Sequence, residues 1–213
     1  MQITQDILDQ LKALGAATIH EAQGQTGAMS HDIKPIDPNC RLIGRALTVD
    51  TRPDDNLMIH YALTQAKPGD VLVVDAKSFL EAGPWGDLLT LAAMRCGISG
   101  LVIDGCVRDA STILDLGFPV FCKGLSIKGT NKAQPGKVNE PIICGGVAVA
   151  SGDIIMGDRD GVVVVKAEQA SATLTSAAAR EEKENGIRKR IEAGDSTVDI
   201  LGLTDKLKSL GLI

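Results

Sequence analysis

The sequence predicts a layered α/β fold built on a mixed sheet. Three observations carry this. The segments VLVV (71–74) and GLVI (100–103) are apolar without alternation, as strands buried on both faces are. Helical and strand patterns alternate through the first half of the chain. A run of short strands joined by Gly-Asp turns then precedes one long polar helix, which departs from a pure Rossmann pattern.

Residues 4–15 predict a first helix, with Thr4 as N-cap and Gly15 as its stop. TIHEAQGQ (18–25) predicts a short second helix ending at Gly24. RLIGRALTVDT (41–51) predicts a strand bent at Gly44. After Pro53, DDNLMIHYALTQA predicts a helix with Leu57, Met58, Tyr61 and Ala62 at helical spacing. His60 is expected on its apolar side, in a structural role. KPGD (67–70) is a turn before the strand VLVVDA. Residues 87–96 predict a helix, 100–104 a strand, TILDLG (112–117) a short helix and FPVFCKGL (118–125) a strand. GTNKAQPGKVN (129–139) has turn composition, and 141–167 reads as strands joined by Gly-Asp turns. Glu168 to Ala193 predicts a long polar helix interrupted at Gly186. The tail carries Leu201, Leu203, Leu207 and Leu210 as a final arm. Residues 1–213 are expected to form a single domain, with a helical arm at each end and the C-terminal one from about 168. Such arms suit packing on the core or on a neighbouring subunit.

Composition narrows the function. Apolar residues make up 44% of the 213 and aromatics only 2%, so Val, Ile, Leu and Ala must build the core. A net charge of −5 and few aromatics speak against nucleic-acid binding. The longest apolar runs are strand-sized, and the amphipathic start lacks a basic region and cleavage site, so neither a membrane span nor a signal peptide is expected. Five scattered cysteines without a CxxC pair fit reduced, buried thiols in the cytoplasm.

The candidate site lies in GPWGDLLTLAAMRCGISGLVIDGCVRD (83–109). A glycine-rich turn precedes Asp87 and a helix start, whose free N–H groups favour an anion. Arg108 and Asp109 follow a buried strand's carboxyl end, where α/β ligands commonly sit. Arg108 can grip a carboxylate with paired hydrogen bonds, and Asp109 can hold a hard divalent cation. Both aspartates also suit plain helix capping. Asp104, inside the apolar strand, reads as either a buried satisfied acid or the strand's last residue, and not as a ligand. His20 and Glu21, adjacent on a helix, cannot share a metal on one face. Glu181, Glu182 and Glu184 suit a solvated helix face. Lys123 and Lys128 are weak Schiff-base candidates. No HExxH, Walker loop, GxGxxG or GxSxG occurs.

Together, TIHEAQGQTGAM (18–29), DNLMIHYAL (55–63), KPGDVLVVDA (67–76), GPWGDLL (83–89), GLVIDGCVRD (100–109), LGFPVFCKGLSIKGT (116–130) and GDRDGVVVV (157–165) resemble one family by order and spacing. It is the family of 4-hydroxy-4-methyl-2-oxoglutarate and 4-carboxy-4-hydroxy-2-oxoadipate aldolases, which also contains the ribonuclease regulator RraA. The resemblance implies a β/β/α core, a homotrimer or dimer of trimers, and active sites between subunits. It implies class II aldol cleavage of a small 2-keto acid with Mg2+ or Mn2+, releasing pyruvate, with oxaloacetate decarboxylation alongside. Carried over, Asp109 would ligate the metal and Asp87 would hold its waters. Arg108 would grip the substrate, and Gly86 with the Leu88 and Leu89 amides would receive its carboxylate. Glu184 of a neighbouring subunit would reach a metal water, with Glu181 and Glu182 as competitors. The segment GPWGD, with Pro84 and Trp85, falls where aldolase members vary. A non-catalytic regulator, or a lyase on another hydroxy or sugar acid, are the alternatives. The regulator lacks the acid after the arginine and the long C-terminal arm, both of which this chain has.

Overall fold

The computed structural model describes residues 3–213. In chain order the helices are α1 (Gln5–Leu14), α2 (Ala16–Ala22), α3 (Leu57–Leu63), α4 (Asp87–Arg95), α5 (Ala110–Asp115), α6 (Ala170–Glu192), α7 (Thr197–Ile200) and α8 (Thr204–Ser209). The strands are β1 (Lys34–Pro35), β2 (Leu42–Asp50), β3 (Asp70–Phe79), β4 (Gly100–Val107), β5 (Val120–Cys122), β6 (Gly124–Leu125), β7 (Lys137–Val138), β8 (Ile142–Cys144), β9 (Val147–Val149), β10 (Ile154–Asp158) and β11 (Gly161–Val165). The expected mixed sheet is present, in the order β1-β5-β4-β3-β2-β10-β11. Strands β2 to β5 run parallel, whereas β1, β10 and β11 pair antiparallel.

Alternation along the parallel strands splits the core. Leu72, Val74, Leu101 and Ile103 face one way, into a layer closed by Met58, Ile59 and Ala62 of α3, Leu89 and Ala93 of α4, and Ile113 of α5. Val71, Val73, Val102 and Phe121 face the other way, against Ile142 and Cys144 of the β8–β9 hairpin and Ile155, Val162 and Val164. The sheet curls until β5 meets β10: a Cβ on Gly157 would lie 2.7 Å from Phe121 Cζ. Outside that roll, α1 and α2 bury Leu8, Leu11 and Ile19 against Ile154, Met156 and Val163. Helices, sheet and rolled-over strands thus form the β/β/α layering.

Several boundaries depart from expectation. Thr4 caps α1 as predicted, by accepting from the Ile7 N–H, but α2 starts at Ala16. Gly44 is required by proximity, since a Cβ there would strike the Gly69 carbonyl. Helix α3 buries Met58, Ile59 and Ala62, leaving Leu57, Tyr61 and His60 exposed. At seven residues it turns a narrower face to the core than its apolar content suggested. Gly186 does not interrupt α6, which runs unbroken from Ala170 to Glu192. Its site is open, so the cost is the ~1 kcal/mol propensity term, against which nearby Arg180–Glu184 and Arg188–Glu184 pairs act. The arm beyond α6 leaves Leu201, Leu203 and Leu210 exposed.

Candidate active site

The glycine-rich turn is built by its neighbours. The Gly83 N–H donates to Lys128 O at 2.9 Å, and a Cβ on Gly83 would press on Ser126 O at 2.5 Å. Pro84 O accepts from Asn56 Nδ2 at 2.9 Å, and Trp85 O accepts from the Arg108 N–H at 2.9 Å. Trp85 is fully buried, stacks on Phe118 with centroids 6.1 Å apart, and donates Nε1–H to Thr90 Oγ1 at 2.8 Å. Thr90 in turn donates to Gly86 O, at 3.0 Å from both its N–H and its hydroxyl. One aromatic anchor and one threonine therefore tie Gly86 to the first turn of α4.

Strand β4 delivers the other half. It runs three residues beyond the expected end, to Val107, so Arg108 and Asp109 stand at its carboxyl edge. Asp109 occupies the N-cap position of α5 with φ 55 and ψ 34, yet makes no capping bond. Its Oδ2 turns to the start of α4, where it accepts from the Asp87 N–H at 3.3 Å and lies 3.5 Å from Arg108 Nε. A Cβ on Gly86 would collide with that oxygen. Asp109 and Arg108 stay 39% and 42% exposed, so neither is consumed by the fold. Gly129 crosses beside the arginine, where a Cβ would sit 3.4 Å from Nη1.

Asp87 is the first residue of α4 rather than its N-cap, which is Gly86, and its Oδ1 accepts from the Leu88 N–H at 2.7 Å. That N–H, expected to receive a substrate carboxylate, is released only when Asp87 rotates. The side chain of Leu88 is 75% exposed and that of Leu89 is buried. The structure therefore brings together Gly86, Asp87, Leu88, Leu89, Arg108 and Asp109. Glu184 does not join them within one chain: it pairs with Arg180 at 2.9 Å and Arg188 at 3.4 Å on α6, which packs on α1 and α2.

Asn56 was not singled out from the sequence. It is buried beneath the turn, and its Oδ1 has no partner. Its neighbour Asp55 accepts from the N–H groups of Leu57, Ala133 and Gln134 at 2.7–3.0 Å, tying the 129–139 loop to α3. Burial raises the Asp55 carboxyl, but these three bonds outweigh it and hold the pKa below the usual value. Burial and the nearby Lys132 push His60 down, so it is neutral at pH 7.

The remaining candidates take structural roles. Asp104 is a satisfied acid, paired with Lys123 at 2.7 Å and accepting from Ser78 Oγ and the Gly145 N–H. Burial lowers the Lys123 pKa, but Asp104 and Asp32 outweigh it and hold the ammonium above its ordinary value, which argues against Schiff-base use. Lys128 pairs with Glu81 at 2.6 Å in the open. His20 Nδ1 bonds Thr26 O, and Glu21 faces Arg180. All five cysteines are free, with burial pushing Cys40 and Cys122 up to about 11. A cleft of about 530 Å³ lies beside Arg45, Lys67 and Asp70, away from this edge. Within it Asn139 bonds Gln65 and Ser151. Among the described residues no three His, Cys, Asp or Glu side chains gather around one point.

The profile of the RraA-like family, Aldolase/RraA, matches residues 4–164. The chain belongs to this family. A Halalkalibacterium halodurans protein, provisionally named a 4-hydroxy-4-methyl-2-oxoglutarate aldolase, is 37% identical over 172 residues, which are 81% of this chain and 82% of that one. An uncharacterised Pseudomonas syringae structure superposes with TM-score 0.85 at 30% identity, covering 96% of both chains. Streptomyces coelicolor RraAS2, described as an unusual member of the RNase ES inhibitor RraA family, superposes at 0.77 with 30% identity. That match covers 89% of this Aldolase/RraA chain and all of the Streptomyces one. The match fits the sequence resemblance and the layered fold. No helix among the described residues is long and apolar enough to cross a membrane.

Proposed function

We propose that this protein is a divalent-metal-dependent pyruvate aldolase. It would cleave 4-hydroxy-4-methyl-2-oxoglutarate or 4-carboxy-4-hydroxy-2-oxoadipate to pyruvate and a second keto acid, and would also decarboxylate oxaloacetate. The observation that carries this reading is Asp109. It stands at a helix N-cap, makes no cap, and is held in the left-handed region with its carboxylate beside Arg108 and the start of α4.

The donor set fits a hard cation that keeps most of its waters, because Mg2+ is commonly held by one or two carboxylates. Asp109 would hold Mg2+ or Mn2+ directly, and Asp87 and Glu184 of a neighbouring copy would do so through water. When bound, the ion supplies Lewis-acid stabilisation of charge at the keto oxygen. Arg108 grips the substrate carboxyl-keto end and offsets the negative charge that C–C cleavage places on that oxygen. Gly86 and the Leu88 and Leu89 amides line the carboxylate's place at the start of α4, whose N-terminus favours an anion. The apolar surface of Leu88, Leu91 and Met94 on α4, with Leu114, Leu125 and Ile127, supports a homotrimer or dimer of trimers that covers this edge. Buried reduced thiols fit a cytoplasmic protein.

The likeness to RraAS2 supports a second reading, a regulator that binds a ribonuclease, against which the poised Asp109 weighs. The test is pyruvate formation from oxaloacetate by metal-stripped protein, before and after Mg2+ or Mn2+, beside Asp109→Asn. Metal-dependent turnover lost in the variant is expected. A folded oligomer inactive with every divalent ion tried would transfer the reading to the regulator.

A further inference from the structure

A second polar cluster lies on the opposite face of the same strands and has no part in that chemistry. By alternation Asp50, Asp75, Asp104 and Lys123 follow Thr48, Val73, Val102 and Phe121 on the face away from α3–α5. They form a row across the carboxyl ends of four parallel strands. The row is crossed by an irregularity in β3: Val74 pairs with Ile103, but Phe79 pairs with Gly105. Strand β3 therefore advances five residues while β4 advances two.

The extra residues include Lys77 and Ser78, at φ 60 and φ 53. Two successive non-glycine residues in the left-handed region are strained, and persist only where surrounding contacts over-determine them. Here each side chain is tied into the row. Lys77 Nζ bridges Asp50 and Asp75, at 2.5 Å from the latter, and its N–H donates to Asp75 Oδ1 at 3.0 Å. Ser78 Oγ donates to Asp104 Oδ1 at 2.9 Å and accepts from Lys123 Nζ at 2.9 Å. The Asp104 and Lys123 side chains are only 9% and 12% exposed, so the anchor itself is fixed. A buried ion pair adds little net stability, so its position is the informative fact.

Five residues after Ser78 the chain enters the Gly83–Gly86 turn. A change in the path of the strand at the bulge would be passed along Phe79–Ala82 to that turn, and so to Asp87 and the α4 terminus facing Arg108 and Asp109. We infer that Ser78, clamped by the Asp104–Lys123 pair, is a positioning residue that sets the Gly83–Asp87 turn against the Arg108–Asp109 edge. Its catalytic consequence rests on the aldolase reading; its structural consequence does not.

The chain has one tryptophan, Trp85, within that turn. Ser78→Ala removes the tie from an exposed position, whereas Ser78→Asn tolerates left-handed φ and offers both an acceptor and a donor. Acrylamide quenching of Trp85 should rise about twofold or more in Ser78→Ala, as expected for loosened local packing, and stay near the parent value in Ser78→Asn. In the pyruvate assay, Ser78→Ala should lose kcat by about tenfold, as expected for a displaced reacting group. Unchanged Trp85 quenching in a folded Ser78→Ala would overturn the inference. Because quenching needs no turnover, it decides the matter even if the aldolase reading fails.

Discussion

Two acids leave strand β4 five residues apart and meet opposite fates. Asp104 is sealed: Lys123, Ser78 and the Gly145 N–H occupy its oxygens. Asp109 is left 39% exposed with one long bond and a loosely placed arginine. The fold satisfies the acid that it buries and leaves the acid at the strand edge open, as the metal-holding role proposed for Asp109 requires. Partner count therefore separates the two settings better than residue type does.

The widest separation should appear when each acid loses its counterpart. Lys123→Met strands a buried carboxylate and should cost ~3–5 kcal/mol in chemical unfolding. Asp109→Asn keeps the left-handed backbone and the exposed setting, so its unfolding midpoint should stay within error. Its metal-dependent pyruvate release should fall by about a hundredfold or more, as expected for loss of a group that stabilises transition-state charge. If Asp109→Asn instead unfolds the protein and Lys123→Met does not, the contrast is broken.

Gly86→Ala sharpens the open side alone. Its methyl would collide with Asp109 Oδ2 and lie 3.2 Å from Arg108 Nε. Turnover should drop by about tenfold to a hundredfold from misplacement, with the circular dichroism spectrum retained. Asp55 extends the sealed class. Its folded pKa is depressed, so its contribution is present above the ordinary carboxylate value of 3.8 and is lost as pH falls through the lower folded value. Asp55→Asn should therefore be less stable by ~1–2 kcal/mol at pH 7, with the gap closing below about pH 4 in pH-dependent urea melts. The smallest effect concerns the thiols. With the Cys122 thiol at about 11, thiolate reagents at pH 8 should label it slowly in the native protein and quickly in denaturant.

Much of this was legible in the chain. Non-alternating apolar runs marked β3 and β4, and the turn, Asp87, Arg108 and Asp109 lay within one continuous stretch whose spacing resembles a known family. What remained hidden depends on contacts between distant residues. The pairing of Asp104 with Lys123 depends on the β4–β5 register. The orphaned Asn56 carbonyl depends on how α3 slides under Pro84. Gly186 looked like a break because propensity counts one residue, whereas α6 carries its ion pairs across it. The left-handed backbone at Asp109, from which its carboxylate faces α4, is a feature that residue type only hints at.

That torsion also bears on ancestry. At φ 55 the residues that fit with little strain are glycine, asparagine and aspartate. A relative can therefore lose the carboxylate at this position by a single aspartate-to-asparagine exchange, with the scaffold intact. Replacement by valine or isoleucine would disturb the edge of β4 as well. Relatives should thus show a narrow doorway of side chains at position 109, whatever chemistry the site carries.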